Sequence, residues 1–244
     1  MKKLILFLCL TGISLSGFSQ AITYQNSTLK IKMGHGAAFR AAFENHVNKY
    51  QKLGSPYEMT TFMIGGSKQN VQYRVSSRVG LSWAQREAAP QQGTAEQNSN
   101  WRENVLPHME ELTGAIETYS TRYSNTPMIS DDPNPNRVVR TMSMTLKFAP
   151  PQEFWDVVAK YKKYWDKRGH SYIVSYASTG ANNLYFTRRL RNGVKELDDT
   201  VFIRGPWEEL YGKGSYDQDM AIMRNYIVET DVYFQTRQPT LSSK

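Results

Sequence analysis

Two sets of side chains in this sequence have the types and spacing to engage a small molecule. One is cationic: Lys32 and Lys147 close two alternating segments, and Arg74 and Arg189 sit within two others. The other is acidic and phenolic: Glu117, Tyr119, Thr121 and Tyr123 alternate in one segment, Glu229, Asp231 and Tyr233 in another. In an extended strand, alternate residues share a face. Cations gathered on a covered face need carboxylate partners or an anionic ligand, because an unpaired buried charge is costly. Lys32, Arg74, Tyr119, Lys147, Arg189 and Glu229 are therefore the candidate ligand-binding residues, for a small anionic or aromatic molecule. A charged ladder bridging two sheets, with no ligand, is the structural alternative.

Other chemistries find little support. The single cysteine is Cys9, and no Gly-x-Ser-x-Gly elbow, phosphate loop or dinucleotide fingerprint is present. Of the four histidines, His35, His46, His108 and His170, no two share metal-ligand spacing on one element. His46 lies at the edge of a helical apolar stripe and reads as packing. Asp132-Pro133-Asn134-Pro135-Asn136 begins like a calcium loop but lacks its glycine and closing glutamate. No metal and no cofactor is expected, and no catalytic residue is assigned. Trp155, Tyr161, Tyr164, Trp165, Trp207 and Tyr211 fall at spacings that suit a core more than a stacking platform.

The elements that must carry these residues occur twice. Sliding the chain so that Lys32 falls on Lys147 superposes Thr28–Val75 on Ser143–Leu190 without a gap. Phe39 then meets Phe154, Lys52 meets Lys167, Gly54 meets Gly169, Tyr57 meets Tyr172, Gly65 meets Gly180 and Arg74 meets Arg189. Each copy opens with an alternating strand, around Leu29 and Ile31 or Met144 and Leu146. A helix follows, with one apolar stripe: Phe39, Phe43, Val47 and Tyr50, or Phe154, Val158, Tyr161 and Trp165. Gly54 and Gly169 end these helices. Two strands come next, joined in the first copy by Gly65-Gly66-Ser67. A second helix (Asn100–Leu112, Tyr216–Asn225) and a last strand (Ala115–Tyr123, Ile227–Gln235) complete each copy. The order is β-α-β-β-α-β, the ferredoxin-like unit.

The N-terminus reads as a secretory signal over residues 1–19: basic Lys2-Lys3, apolar Leu4–Ile13, then small residues to Ser19. The apolar run is too short to span a bilayer, and no later segment suits a membrane span. The units are predicted at 20–129 and 138–244, with residues 130–137 as a polar, proline-rich linker. The net charge of +8 falls only by Lys2 and Lys3 on cleavage, so the mature chain stays cationic. A periplasmic or secreted location follows, with nucleic acid excluded as a partner by compartment and by the lack of an RNA-binding strand motif.

Two such units in tandem resemble the dimeric α/β-barrel superfamily, which includes antibiotic-biosynthesis-type monooxygenases and haem-degrading enzymes. The resemblance is one of pattern and carries over no family residue. It implies an α+β fold: two ferredoxin-like units closing into one pseudo-dimeric α/β barrel, with helices outside. A tandem unit satisfies its own pairing, so a monomer is expected. Binding of a small molecule in the barrel is the leading functional expectation. A cofactor-independent monooxygenase-like enzyme and a protein-interaction module are the alternatives.

Overall fold

The computed structural model describes residues 21–55, 58–65, 71–77, 79–88, 93–128, 138–147, 149–179, 182–200 and 203–244. The signal segment, the linker, Tyr57, Gly66-Ser67 and Gly180 lie outside them. In the first half, β1 (Ile22–Ile31) leads to α1 (Gly36–Tyr50), then to β2 (Met59–Gly65) and β3 (Gln72–Ser77). Two short helices follow, α2 (Trp83–Ala88) and α3 (Ala95–Asn100), before β4 (Met109–Tyr119). The second half runs β5 (Val138–Leu146), α4 (Gln152–Lys167), β6 (Ile173–Ala177) and β7 (Asn183–Leu190). It ends with α5 (Arg204–Tyr211), α6 (Ser215–Tyr226) and β8 (Ile227–Arg237).

The helical stripes do what their spacing predicts. Phe39, Phe43 and Val47 of α1 pack on Leu29, Ile31 and Tyr73. Phe154, Val158, Tyr161 and Trp165 of α4 pack on Met144, Leu184 and Phe186. Full burial of each such side chain stabilises by roughly 1.5–3 kcal/mol. Gly54 (φ 77°) and Gly169 (φ 68°) follow the two helices in the left-handed region, where a side chain is disfavoured.

One element departs from the sequence reading. Helix was expected over Asn100–Leu112 and strand from Ala115. Instead α3 ends at Asn100, a wide turn spans Trp101–Val105, a tight one spans Leu106–His108, and β4 already begins at Met109. Pro107 cannot continue a helical ladder. Beyond it Glu111 and Leu112, good helix formers by propensity, pair with Lys30 and Leu29 of β1; tertiary pairing overrides local preference. Strand β4 stops at Tyr119, so Tyr123 is off the sheet and stacks on Trp155 at 5.3 Å.

The strands close into an antiparallel barrel, β1-β3-β2-β8-β5-β7-β6-β4, with β4 returning to β1. Each half has equivalent internal order, β4-β1-β3-β2 and β8-β5-β7-β6. The halves join where β2 meets β8, from Phe62 opposite Arg237, and where β4 meets β6, from Glu117 opposite Ala177. Both apolar cores lie outside the barrel, between sheet and helices. The inner face is thereby left to the other set of alternating residues. Among the described residues, no helix is long and apolar enough to cross a membrane.

Leu241, Ser242 and Ser243 are buried. Leu241 is buried in the first core, Ser242 Oγ accepts from the Thr61 amide (3.0 Å), and Ser243 Oγ accepts from the Met59 amide (2.8 Å).

Candidate functional site

Register decides which residues correspond between the halves. Thr28 of β1 is opposite Arg74 of β3. Its counterpart Ser143 of β5 is opposite Tyr185, not Arg189. Likewise Tyr24 is opposite Glu117, and its counterpart Val139 is opposite Gln235. The sequence pairing of Arg74 with Arg189 is thus corrected: Tyr185 occupies the position equivalent to Arg74, and Gln235 that of Glu117.

Arg74 and Arg189 both line the barrel interior. Lys32 and Lys147 do not. They lie one residue past β1 and β5, exposed, and Lys32 Nζ donates to the Pro107 carbonyl at 2.8 Å. The register shifts after Lys30 and again after Thr145; irregular pairing at these points ends the ladder before either lysine enters it. Glu229 is exposed near the start of β8, opposite Thr145, away from both arginines. Tyr119 is half-buried at the other end of the sheet, its hydroxyl donating to the Thr126 carbonyl at 2.9 Å. Structure therefore brings together two of the six candidates, keeps Tyr119 beside one of them, and leaves three at the rims.

Arg74 is neutralised inside the barrel. Its Nη2 donates to Glu117 Oε1 at 2.6 Å, and Ser175 Oγ donates to Glu117 Oε2 at 2.9 Å. The guanidinium lies 5.5 Å from the Tyr185 ring centroid and bonds the Tyr233 hydroxyl. Burial opposes its charge, but Glu117 and the two phenols outweigh burial and raise its pKa. This ion pair divides the interior, since Arg74 faces a cavity on either side.

The first cavity spans about 690 Å³ of space between atoms, open solvent included. Phe62, Met128, Val139 and Ile173 form its apolar wall, and Thr60, Thr187, Arg189 and Gln235 are among its polar groups. Arg189 is buried, and Nη2 donates to the Met128 carbonyl. Among the described residues no carboxylate pairs with it. Burial pushes its pKa down to about 10, partly offset by nearby Tyr119 and Tyr24. It still carries its charge at neutral pH. Thr60 Oγ1 and Gln235 Nε2 are buried without a hydrogen-bond partner. Buried polar atoms are nearly always satisfied, so this wall offers a cation, a donor and a hydroxyl to whatever enters.

Sequence reasoning missed Thr60, Phe62 and Gln235. Extending the alternation along β2 and β8 assigns them to the inner face, the signal that would have found them. The histidines serve elsewhere. His46 Nδ1 bonds Asn100 Oδ1 (2.9 Å) beneath Trp101, and His35 and His108 meet Nδ1 to Nδ1 at 3.0 Å. Among the described residues no group of three or more potential ligands could hold a metal ion. Trp207 is fully buried with Nε1 on Asp219 Oδ2 (3.0 Å), which places the aromatic cluster in the second core.

No family model and no curated protein matches the sequence. Solved structures do match in shape. A "putative monooxygenase" of Lactobacillus acidophilus NCFM superposes with a TM-score of 0.53 at 12% identity, over 89% of this chain and 94% of that one. A second protein of that designation, from Fusobacterium nucleatum subsp. nucleatum, gives 0.57 at 9% identity, over 90% and 94%. A protein designated in the same manner as a chlorite dismutase gives 0.53 at 10% identity, over 90% and 96%. Likeness at these identities speaks to architecture alone, and it agrees with the strand order: this chain has the fold of the dimeric α/β-barrel proteins.

Proposed function

We propose that the barrel cavity beside Arg189 binds one small organic anion, a carboxylate or phenolate on an apolar or aromatic body. The observation that carries this reading is Arg189, buried and charged without a carboxylate partner, beside the unpartnered Thr60 Oγ1 and Gln235 Nε2. An anion there would neutralise the guanidinium and accept from Gln235, while Phe62, Val139 and Ile173 cover its apolar body. A hydrogen bond to a charged group contributes about 1.5–3 kcal/mol, a factor of ten or more in affinity. Calorimetric titration with benzoate and salicylate tests it. Arg189→Met should weaken binding at least tenfold, and Thr60→Val to a smaller extent. Equal binding by Arg189→Met and wild type would refute the assignment.

The same reading takes the chain to be a duplicated ferredoxin-like unit, acting alone and exported to the periplasm or beyond after loss of residues 1–19. Support comes from the equivalent strand orders of the halves and the basic-apolar-small pattern of the N-terminus. N-terminal sequencing of the protein from its own host should begin at Gln20. A second reading, cofactor-independent oxygenation of a bound phenol, is favoured by the designation of two structural neighbours as monooxygenases. It predicts oxygen uptake on adding the phenol that titrates into the cavity; a flat oxygen-electrode trace argues for binding alone.

A further inference from the structure

Across the Arg74–Glu117 pair lies a second chamber of about 460 Å³ of empty space, also partly open to solvent. It is lined by Asn26, Thr28 and Thr113, by Arg74 and Glu117, and by Tyr185 and Tyr233. It lies toward the other end of the barrel. Along β8, Tyr233 faces this chamber while Gln235 and Arg237 face the first cavity.

Two features of this lining differ from the first cavity, and a third is shared with it. Its charges cancel, because Arg74 and Glu117 are bonded to each other at 2.6 Å. An ion entering from solvent would give up hydration and gain no net countercharge. Its remaining groups are hydroxyls: Thr28 and Thr113, with the phenols of Tyr185 and Tyr233. Burial raises the pKa of both phenols, so each presents a neutral hydroxyl that can donate and accept. Finally, Asn26 is 5% exposed and has one unmet donor. Its Oδ1 accepts from Ser76 Oγ, while its Nδ2 has no partner.

We infer that this chamber is a separate binding site for a small neutral polyhydroxyl compound of monosaccharide size. The ligand's oxygen accepts from Asn26 Nδ2, its hydroxyls exchange bonds with the threonines and phenols, and its C–H face lies against the tyrosine rings. Each hydroxyl pairing is individually modest, so affinity in the millimolar range is expected. The site stands independently of the anion cavity, since Arg189 does not line it.

Saturation-transfer NMR on the full mature chain, with glucose and glycerol as probes, tests the assignment. Wild-type protein should transfer saturation to glucose. Asn26→Leu removes the donor and fills the chamber, and should abolish the signal. Thr113→Trp blocks the chamber from an exposed position on β4, so it avoids the core and should do the same without loss of fold, checked by circular dichroism. Arg189→Met should leave glucose transfer unchanged, and Thr113→Trp should leave benzoate binding unchanged. No transfer to either probe, or transfer that survives both chamber variants, overturns the inference. Loss of benzoate binding alone concerns the other cavity.

Discussion

The Arg74–Glu117 pair invites a quantitative test, because the side chains are only 10% and 3% exposed. Glu117→Gln keeps the volume and removes the charge. The guanidinium then remains buried, held by the Tyr233 hydroxyl and the Tyr185 ring but with no anion. The new amide can still accept from Arg74 and donate to Ser175 Oγ, so what is lost is the charge rather than the hydrogen bonds. Breaking a buried pair by removing one partner costs about 3–5 kcal/mol. The two phenols partly solvate the stranded cation, which puts the expected loss near the lower end, about 3 kcal/mol. At a urea m-value of about 3 kcal/mol/M, the unfolding midpoint should fall by about 1 M.

The double variant Arg74→Met/Glu117→Leu separates the cost of the unpaired charge from the worth of the pair. Replacing both charges with apolar groups of similar volume is often neutral or stabilising by roughly 1–4 kcal/mol. Its midpoint should therefore return to wild type or exceed it. Urea unfolding followed by tryptophan fluorescence reads all three proteins. A Glu117→Gln variant within about 1 kcal/mol of wild type, or a double variant no more stable than it, would refute the view that this pair is desolvated.

Two further outcomes follow from the same structure. Burial lowers the pKa of His46 despite its bond to Asn100, so the unfolded chain binds a proton more readily than the folded one. Stability should be full above the unfolded value of about 6.5 and fall as pH drops through the lower folded value; His46→Phe should flatten that acid limb in pH-dependent urea titrations. Deleting Leu241–Lys244 exposes the Leu241 pocket and strips the Met59 and Thr61 amides of their serine acceptors. At about 1–3 kcal/mol for each stranded amide, plus the lost apolar burial, the truncated chain should melt at least 5 °C lower by calorimetry; an unchanged melting temperature would show the tail to be merely draped.

The sequence made the inner face legible but not the register. β1 and α1 superpose on β5 and α4 without a gap, where apolar spacing is strict. Beyond them the two β-hairpins differ in length, and an ungapped match aligned Arg74 with Arg189 although Tyr185 is the true counterpart. The facing assignment survived because the slip is an even number of residues. Alternation has a period of two, so only an odd slip turns a side chain to the other face. In the last strands the ladder sets Glu229 opposite Thr145 and Glu111 opposite Lys30, so Glu229 corresponds to Glu111 rather than to Glu117. Periodicity also says nothing about how far a strand runs within a barrel. Lys32, Lys147 and Glu229 were accordingly expected inside, yet they lie at the rims. Unpartnered atoms such as Gln235 Nε2 emerge only once every neighbour is fixed.

Correct register changes what the likeness of the two halves means for the cavity. The row Asn26–Ser76–Thr60 in one half corresponds to Thr141–Thr187–Ile173 in the other. Five of these six residues line the first cavity and the sixth lines the chamber behind it. The axis relating the halves therefore passes through the interior rather than beside it. Two identical halves would present every group twice about that axis, and a single ligand would face two equivalent orientations. This chain removes the equivalence at the positions that matter for charge: Arg74 against Tyr185, Glu117 against Gln235, Tyr119 against Arg237. The acid sits in the first half, and Gln235 and Arg237 take the equivalent wall in the second. On the proposed reading, an anion would be drawn to the second half's side and held in one orientation. Replacing Gln235 with Glu would restore the symmetry of the carboxylates and set a negative charge beside Arg189 in the cavity. Benzoate binding should then fall by more than it does in Thr60→Val, while glucose transfer in the other chamber stays as it was. Benzoate binding that withstands Gln235→Glu would mean the anion does not lie against that wall.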